Sequence, residues 1–250
     1  MQHELYKNPT VKEVDFEIRF SNLFYIEKFI PDFQLAILER FPESSLLMQQ
    51  EIKIGFVDSI NNQQVKQPES GSQKIWQFKS PDGYQLNISS NNLSISSVKH
   101  KTYNNPDEPI RLRDTIAFIT NTFFDLIKIP VLTRVGLRYI DECPIFKLTM
   151  EDVTRFYNSY ISFEKFPIEK SLGFEFRTLI NFDEYFVTHT EILTQKAEPP
   201  NEYMIVLDLD AYSNNVKADE LMETLDKFHQ ILHNEYENFI TDEMRAHMRS

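Results

Sequence analysis

Two arginines on one predicted strand are the residues whose type and spacing most directly suggest chemistry. They lie in the segment 131–142, which has the sequence VLTRVGLRYIDE. Because side chains alternate along a strand, Arg134 and Arg138 share one face, with Gly136 between them. Their Cα atoms are then roughly 13 Å apart, at about 3.3 Å per residue. Such a pair could bind one extended partner or two separate carboxylates, but not one small anion together.

Two further strands carry charges in the same alternating pattern. Arg177 follows Glu175 at a spacing of two residues, and Asp208 and Asp210 flank an apolar residue in the sequence LDLD. If these strands lie side by side, their charges form one polar sheet face. The predicted ligand- or partner-binding residues on this face are Arg134, Arg138, Arg177, Asp208 and Asp210.

This polar face has two interpretations. In the functional one it is a groove in which the arginine forks bind the carboxylate or phosphate of a ligand, or a peptide strand. In the structural one the charges form cross-strand ion pairs on a solvated surface, each worth a fraction of a kcal/mol. The sequence leaves both interpretations open.

Candidate metal ligands are sparse in this sequence. Asp208 and Asp210 could share a magnesium ion, but no third acidic partner or catalytic lysine stands at a recognisable spacing. His229 and His233 lie four residues apart on a predicted helix, a spacing that can place two imidazoles on one metal. No H-E-x-x-H motif accompanies them, and His229 lies at the edge of an apolar helical stripe with His233 a little further out. The sequence therefore predicts no metal site.

Candidate catalytic groups are equally sparse. His189 and Glu191 fall on one face of a predicted strand and could form a general-base pair. No G-x-S-x-G elbow is present, and Cys143 follows two acidic residues, which would raise rather than lower the pKa of its thiol. We therefore predict no catalytic residue and no cofactor, and the balance favours a protein that is not an enzyme.

Composition and charge exclude several classes of protein. The chain has a formal net charge of −12 and no dense run of Lys or Arg, so nucleic-acid binding is disfavoured. With 5 Gly and no glycine-rich phosphate motif, the common nucleotide-binding folds are disfavoured as well. One Cys excludes an internal disulfide framework, and no run of 18 apolar residues is present. We expect an acidic, cytoplasmic protein without a membrane segment.

The elements that must position these residues follow from periodicity. Strands are predicted at Val11 to Phe20, Glu51 to Val57, Lys74 to Ser80, Tyr84 to Ser90, Leu93 to Val98, Leu132 to Ile140, Ser171 to Phe182, Tyr185 to Thr194 and Tyr203 to Tyr212. Helices are predicted at Leu23 to Phe41, Arg111 to Lys128, Met150 to Ser162 and Asp219 to Ile240. A Ser80-Pro81-Asp82-Gly83 turn separates two of the strands.

The order of these elements repeats in outline. We predict an α+β fold of two similar modules, each a mostly antiparallel sheet packed by helices in a β-α-β-β-β-α order. The first module covers residues 1–104 and the second covers residues 131–250. Residues 105–130 form a linker and a connecting helix between them.

Several stretches together resemble a known family. They are NPTVKEVDFEIRF at 8–20, the turn at 80–83, RVGLRY at 134–139, LDLD at 207–210, and the tail containing His233 and FIT at 239–241. The family comprises uncharacterised proteins of about 250 residues, sporadically distributed among bacteria and archaea, and the resemblance covers essentially the whole chain. Asp141 replaces the family's usual Asn, and Thr10 replaces the second Pro of N-P-P. The resemblance implies relatives without implying a reaction.

These observations favour a non-enzymatic intracellular binding or interaction protein, acting as a regulatory or accessory partner. The sporadic distribution of the resembling family suggests a mobile or defence locus. The alternative is a small-molecule sensor or an enzyme that binds an anionic ligand in a cleft between the modules, held by Arg134 or Arg138. The expected partner is accordingly a protein or a small anionic ligand.

Overall fold

A computed structural model describes residues 5–50, 72–163, 167–195 and 202–250. The strands in these parts of the chain are β1 (Val11–Arg19), β2 (Glu43–Gln50), β3 (Ser72–Lys79), β4 (Tyr84–Ile88), β5 (Asn92–Ser97), β6 (Val131–Leu132), β7 (Arg134–Ile145), β8 (Phe174–Asn181), β9 (Phe186–Gln195), β10 (Tyr203–Ser213) and β11 (Val216–Lys217). Nine of them form one sheet, and β6 pairs with β11 in a short separate ribbon.

The helices in the same parts of the chain are α1 (Ile30–Ile37), α2 (Leu112–Leu126), α3 (Met150–Phe156), α4 (Leu221–Phe239) and α5 (Asp242–Arg249). Helix α4 packs across β7 and β10, α1 packs against α2, and α3 packs against α5. Within the described residues, no helix combines the length and apolar character that a membrane crossing requires. The fold is therefore a mixed α and β structure built on one large sheet.

The strand order of the large sheet is β2-β3-β4-β5-β1-β7-β10-β9-β8, and every neighbouring pair is antiparallel. Strands β1 and β7, the first strands of the two predicted modules, lie side by side at the centre. Eight residue pairs join them, from Val11 opposite Asp141 to Arg19 opposite Arg134. The strands of both predicted modules therefore belong to one continuous sheet.

The core lies on the helical face of this sheet. One row of directly paired residues crosses eight strands and consists of Phe78, Leu86, Ile95, Phe16, Leu137, Ala211, Val187 and Ile180. All but the last are buried. Because side chains alternate, the residues between them in sequence point to the opposite face, which carries the charges. The amphipathic pattern of each strand thus fixes which face the helices cover.

Most of the predicted elements are confirmed, with boundaries within a few residues. They include β1, the strands of both hairpins, α2 and α4. The predicted turn before β4 is also present, and Gly83 adopts a φ of 86° there, a conformation that glycine reaches at the least cost. The alternation that placed Arg134 and Arg138 opposite Leu137 is present in β7 as well.

Other element predictions were wrong or incomplete. The predicted helix from Leu23 to Phe41 is a short 3₁₀ turn followed by α1, with a proline in its first turn as expected. Helix α3 ends at Phe156 rather than Ser162. Strand β2 and helix α5 were not predicted. The predicted strand from Glu51 to Val57 lies outside the described residues.

Candidate functional site: a charged groove on the open sheet face

All five predicted site residues line one groove on the sheet face opposite the core helices. The groove has a volume of about 560 Å³. The predicted residues that line it are Arg134, Arg138, Arg177, Asp208 and Asp210, and the other charged residues of its lining are Glu13, Asp15, Glu17, Arg19 and Glu175. Strands β1, β7, β10 and β8 therefore contribute the charge, β9 contributes Thr188 and Thr190, and the groove crosses the central β1/β7 pair.

Arg138 forms the strongest ion pair in the groove. Its Nε and Nη2 atoms both donate to the carboxylate of Asp208 on the neighbouring strand β10, each at 2.7 Å. On its other side, Nη1 lies 3.8 Å from Asp15 on β1. The hydrogen bonds that Asp208 accepts raise the pKa of this guanidinium, so it stays charged. The arginine thus links the first and second halves of the sheet.

Arg134 makes a second ion-pair bridge across the same three strands. Nη1 donates to Glu17 and Nη2 donates to Asp210, each at 2.7 Å. Its guanidinium also lies 4.6 Å from the ring centre of Tyr212. A Cβ atom on Gly136 would come within 2.5 Å of Nη1 of Arg134. The glycine between the two arginines therefore makes room for Arg134 to lie flat along β7.

One end of the groove is acidic. Glu13 and Asp15, two residues apart on β1, form this acidic end. Burial raises the pKa of Asp15 to about 7, and the nearby Glu13 raises it further in the same direction, while Arg138 lowers it. Nearer the centre of the groove, burial likewise raises the pKa of Asp210. These carboxyl groups are desolvated beyond what their arginine partners offset, so a bound cation would stabilise their charged forms.

The other end of the groove carries the basic Arg177 beside the acidic Glu175 on β8. Arg177 on β8 is exposed, and among the described residues no carboxylate pairs with it. In the register of the sheet, one row of paired residues runs Glu13, Ile140, Asp208, Thr190 and Arg177. Four strand spacings of about 4.8 Å place the acidic and basic ends roughly 19 Å apart. Along this row, which runs perpendicular to the strands, the charge therefore changes from acidic at Glu13 to basic at Arg177.

A second polar cluster lies on the opposite, helical face. His189 and Glu191, both buried, form a hydrogen bond of 3.0 Å between Nε2 and Oε1, as the predicted general-base pair requires. Ser159 donates to the other carboxylate oxygen, and the Tyr160 backbone N–H donates to Oε1 at 3.0 Å. Because the serine contacts the carboxylate and not the imidazole, this cluster lacks the arrangement that activates a serine nucleophile.

The remaining sequence candidates fall in or near the helical face. His229 is buried and its Nδ1 lies 3.0 Å from the hydroxyl of Tyr139. Cys143 is also buried, and burial together with the nearby Asp141 raises the pKa of its thiol, in the predicted direction. Among the described residues, no three His, Cys, Asp or Glu side chains are grouped closely enough to hold a metal ion.

Sequence reasoning missed the role of Asp141. This residue is 1% exposed, and burial raises the pKa of its carboxyl group to about 7. A signal was available, since alternation from Leu137 through Tyr139 places Asp141 on the same apolar face. An acidic residue at a core position of a strand is a departure that calls for a specific explanation.

Comparisons with family models, curated proteins and solved structures find no match for this chain. The family resemblance inferred from the sequence motifs therefore stays a prediction. Function must be argued from the groove and the core of this protein alone.

Proposed function

We propose that this is a non-enzymatic binding protein whose partner docks in the groove as an extended polypeptide segment. The segment crosses the strands, with a cationic group over Glu13 and Asp15 and a carboxylate at Arg177. The observation that carries this proposal is the opposite charge of Glu13 and Arg177, which lie at the two ends of one register row. An extended chain of about six residues, at about 3.3 Å each, spans the roughly 19 Å between them.

The ion pairs at the centre support a binding role. Arg134 and Arg138 each contact two carboxylates, so they form a preorganised floor rather than vacant anion sites. A small anion held by either arginine, the alternative function, has to compete with those carboxylates. The lining has six carboxyl groups and four guanidinium groups, a formal excess of two negative charges that further disfavours an anionic ligand.

The organisation of the chain supports a partner that contacts both halves. We infer that the two halves of the chain, with boundaries near residues 104 and 131, are two versions of one module. Outward from the centre, the strand order is β1-β5-β4-β3-β2 on one side and β7-β10-β9-β8 on the other. In this proposal the protein acts in the cytoplasm as a regulatory or accessory factor, and the single buried cysteine suits a reducing compartment.

A peptide array tests the proposal. The array holds six-residue peptides in four classes: basic at one end and acidic at the other, both ends basic, both ends acidic, and both ends neutral. We expect enrichment of the class with opposite end charges. Arg177→Gln should weaken binding of the enriched peptides about tenfold, the effect of losing one charge-assisted contact. Its melting temperature should stay unchanged, because no described carboxylate pairs with Arg177.

Arg155→Gln is the matched control, since Arg155 is an exposed arginine on α3, away from the groove. Equal binding by the Arg177 and Arg155 variants would contradict the proposed docking mode. Enrichment of the doubly acidic class, abolished by Arg138→Ala, would instead support the anionic-ligand alternative. An array on which no class is enriched would also count against a peptide-binding role.

A further inference from the structure

A small cavity lies on the helical face of the sheet, far from the groove. It has a volume of about 90 Å³ and lies between α4, strands β7 and β10, and the segment 5–11. Its surface is mainly apolar, with Val11, Leu209 and Leu232 among the lining residues. A largely apolar cavity with a few convergent polar groups is the usual character of a small-molecule site.

Asp141 is the polar group that most needs a partner in this cavity. Its Oδ1 atom accepts a hydrogen bond of 2.7 Å from Thr10. Its Oδ2 atom is buried, and no described residue donates to it. Lys101 also lines the cavity, but its ammonium group donates to the backbone carbonyls of Val11 and Val98, at 2.8 and 3.3 Å. An unpaired, buried carboxylate oxygen carries a large desolvation cost, which a bound donor would offset.

Three tyrosines surround the same space. Tyr6, Tyr139 and Tyr236 all line the cavity, so aromatic rings and the carboxylate of Asp141 converge on it. The hydroxyl of Tyr236 is engaged with Thr10 at 2.7 Å, which leaves the ring as its contribution to the cavity surface. Aromatic rings attract cations through their electron-rich faces, and the attraction strengthens when water is excluded. Tyrosine rings around a buried carboxylate therefore form an environment suited to a cation.

The segment 5–10 closes the cavity from the side of the N-terminal residues and is held in place by backbone contacts. The N–H of Asn8 donates to the carbonyl of Met248 at 3.0 Å, and the N–H of Glu142 donates to the carbonyl of Thr10 at 2.9 Å. The segment is thus anchored at Asn8 to helix α5 and at Thr10 to β7. The cavity is therefore bounded by α4, β7, β10 and an anchored segment, and it is not a gap beside a loop.

We propose that this cavity binds a small organic ammonium ion. Its N–H groups donate to Oδ2 of Asp141, its charge lies among the rings of Tyr6, Tyr139 and Tyr236, and its compact apolar body contacts Leu209 and Leu232. The volume limits the ligand to a few heavy atoms, since a cavity of about 150 Å³ accommodates benzene. His229 and His233 also line the cavity, together with the cationic Lys101 and the acidic Glu237. Protonated imidazoles would add positive charge that opposes the ligand, so binding should be strongest at neutral or alkaline pH.

Isobutylamine and its neutral isostere isobutanol are the probes for this site. Titration calorimetry at about pH 8, where the amine is protonated, should give an amine affinity about tenfold above that of the alcohol. NMR should show contacts between the methyl protons of the amine and tyrosine ring protons. Asp141→Asn, close in shape and verified by circular dichroism, should reduce amine binding to the level of the alcohol.

Asp125→Asn is the control, because it removes an exposed acidic residue of α2 that does not line the cavity, and it should bind the amine as the unchanged protein does. Equal affinity of the unchanged protein for amine and alcohol would reduce the site to an apolar cavity and overturn the proposal. Amine binding that survives Asp141→Asn, or that is absent altogether, would overturn it too. The NMR and isostere comparisons need no variant, so they decide the question even if the Asn variant folds poorly.

Discussion

At the scale of single residues, the two faces of β7 handle charge in opposite ways. On the groove face, Arg134 and Arg138 meet carboxylates on both flanking strands, so charge is matched by charge. On the helical face, Asp141 is buried with one hydroxyl donor and an unpaired oxygen. Matched pairs add rigidity at little net cost, whereas an unmatched buried carboxyl group makes stability depend on pH.

That dependence gives a prediction for Asp141→Asn. In the folded protein the pKa of Asp141 is about 7, whereas in the unfolded chain its carboxyl group has the ordinary aspartate pKa of 3.8. Between these values the folded state binds more protons, so this carboxyl group lowers the free energy of unfolding as pH rises. The loss approaches about 1.4 kcal/mol per pH unit and totals roughly 4 kcal/mol above pH 7. The variant should lack this loss.

Urea unfolding from about pH 4 to about pH 8 measures the effect as the difference between variant and unchanged protein. The difference should grow in favour of the variant as pH rises, less a constant cost of about 1–3 kcal/mol for the buried Asn amide. Asp15 also has a raised pKa, so a part of the pH dependence persists in both proteins. A difference that stays constant with pH would mean that Asp141 is ionised in the folded state.

Sequence reasoning reached the right groove residues because it relied on alternation. A period of two assigns Arg134, Arg138, Asp208 and Asp210 to one face of their strands whatever the register, provided that the strands share a sheet. It does not say which carboxylate each arginine meets, because that depends on cross-strand register and on side-chain reach. The bond from Arg134 to Asp210 passes over Gly136, and only the three-dimensional arrangement reveals why a glycine stands there.

At the scale of elements, the local sequence pattern predicted a helix correctly where tertiary packing does not change its length. Helix α2 has six buried residues at helical spacing and was predicted within two residues at each end. Helix α3 was overestimated because Tyr157 leaves the helix to form a β-bridge with Ile240, a contact between residues more than 80 positions apart. No local propensity encodes such a bridge. Helix α5 was missed because its eight residues bury only Met244 and Met248.

The packing of α2 gives a prediction at this scale. Its Phe123 ring lies 5.6 Å from the ring of Phe20 and 5.8 Å from that of Phe33, centre to centre. Phe123→Ala should therefore lower the free energy of unfolding by about 3–5 kcal/mol. Phe124→Ala, at the next, partly buried position of the helix, should cost about 1 kcal/mol.

Denaturant titration of the two variants compares their free energies of unfolding. It tests whether α2 belongs to the core of the first half of the chain or only connects the two halves. A helix that merely links two modules would give small and similar losses for both phenylalanines. A large loss at Phe123 alone would show that residues predicted as a connection carry a substantial part of the first half's stability.

At the scale of the whole molecule, the central β1/β7 pairing decides how the halves behave. Eight of the nine strands of the large sheet could be predicted from local patterns, but their order could not, because it depends on pairings between distant segments. Strand β1 pairs with β5 on one side and with β7 on the other. Removing either half would expose a long central strand edge, which is a common route to aggregation. We therefore expect the halves to unfold as one cooperative unit.

The single tryptophan provides a test of that cooperativity. Trp76 lies on β3 in the first half and packs partly against the core, so its fluorescence reports on that half, whereas far-ultraviolet circular dichroism reports on the whole protein. The two signals should show coincident unfolding transitions. Leu207 is fully buried on β10 in the second half, and Leu207→Ala should cost about 2–5 kcal/mol. This loss should shift the Trp76 transition and the dichroism transition equally, because the continuous sheet transmits it across β1 and β7. A Trp76 midpoint that stays unchanged while the dichroism curve splits into two steps would show two independently folding modules.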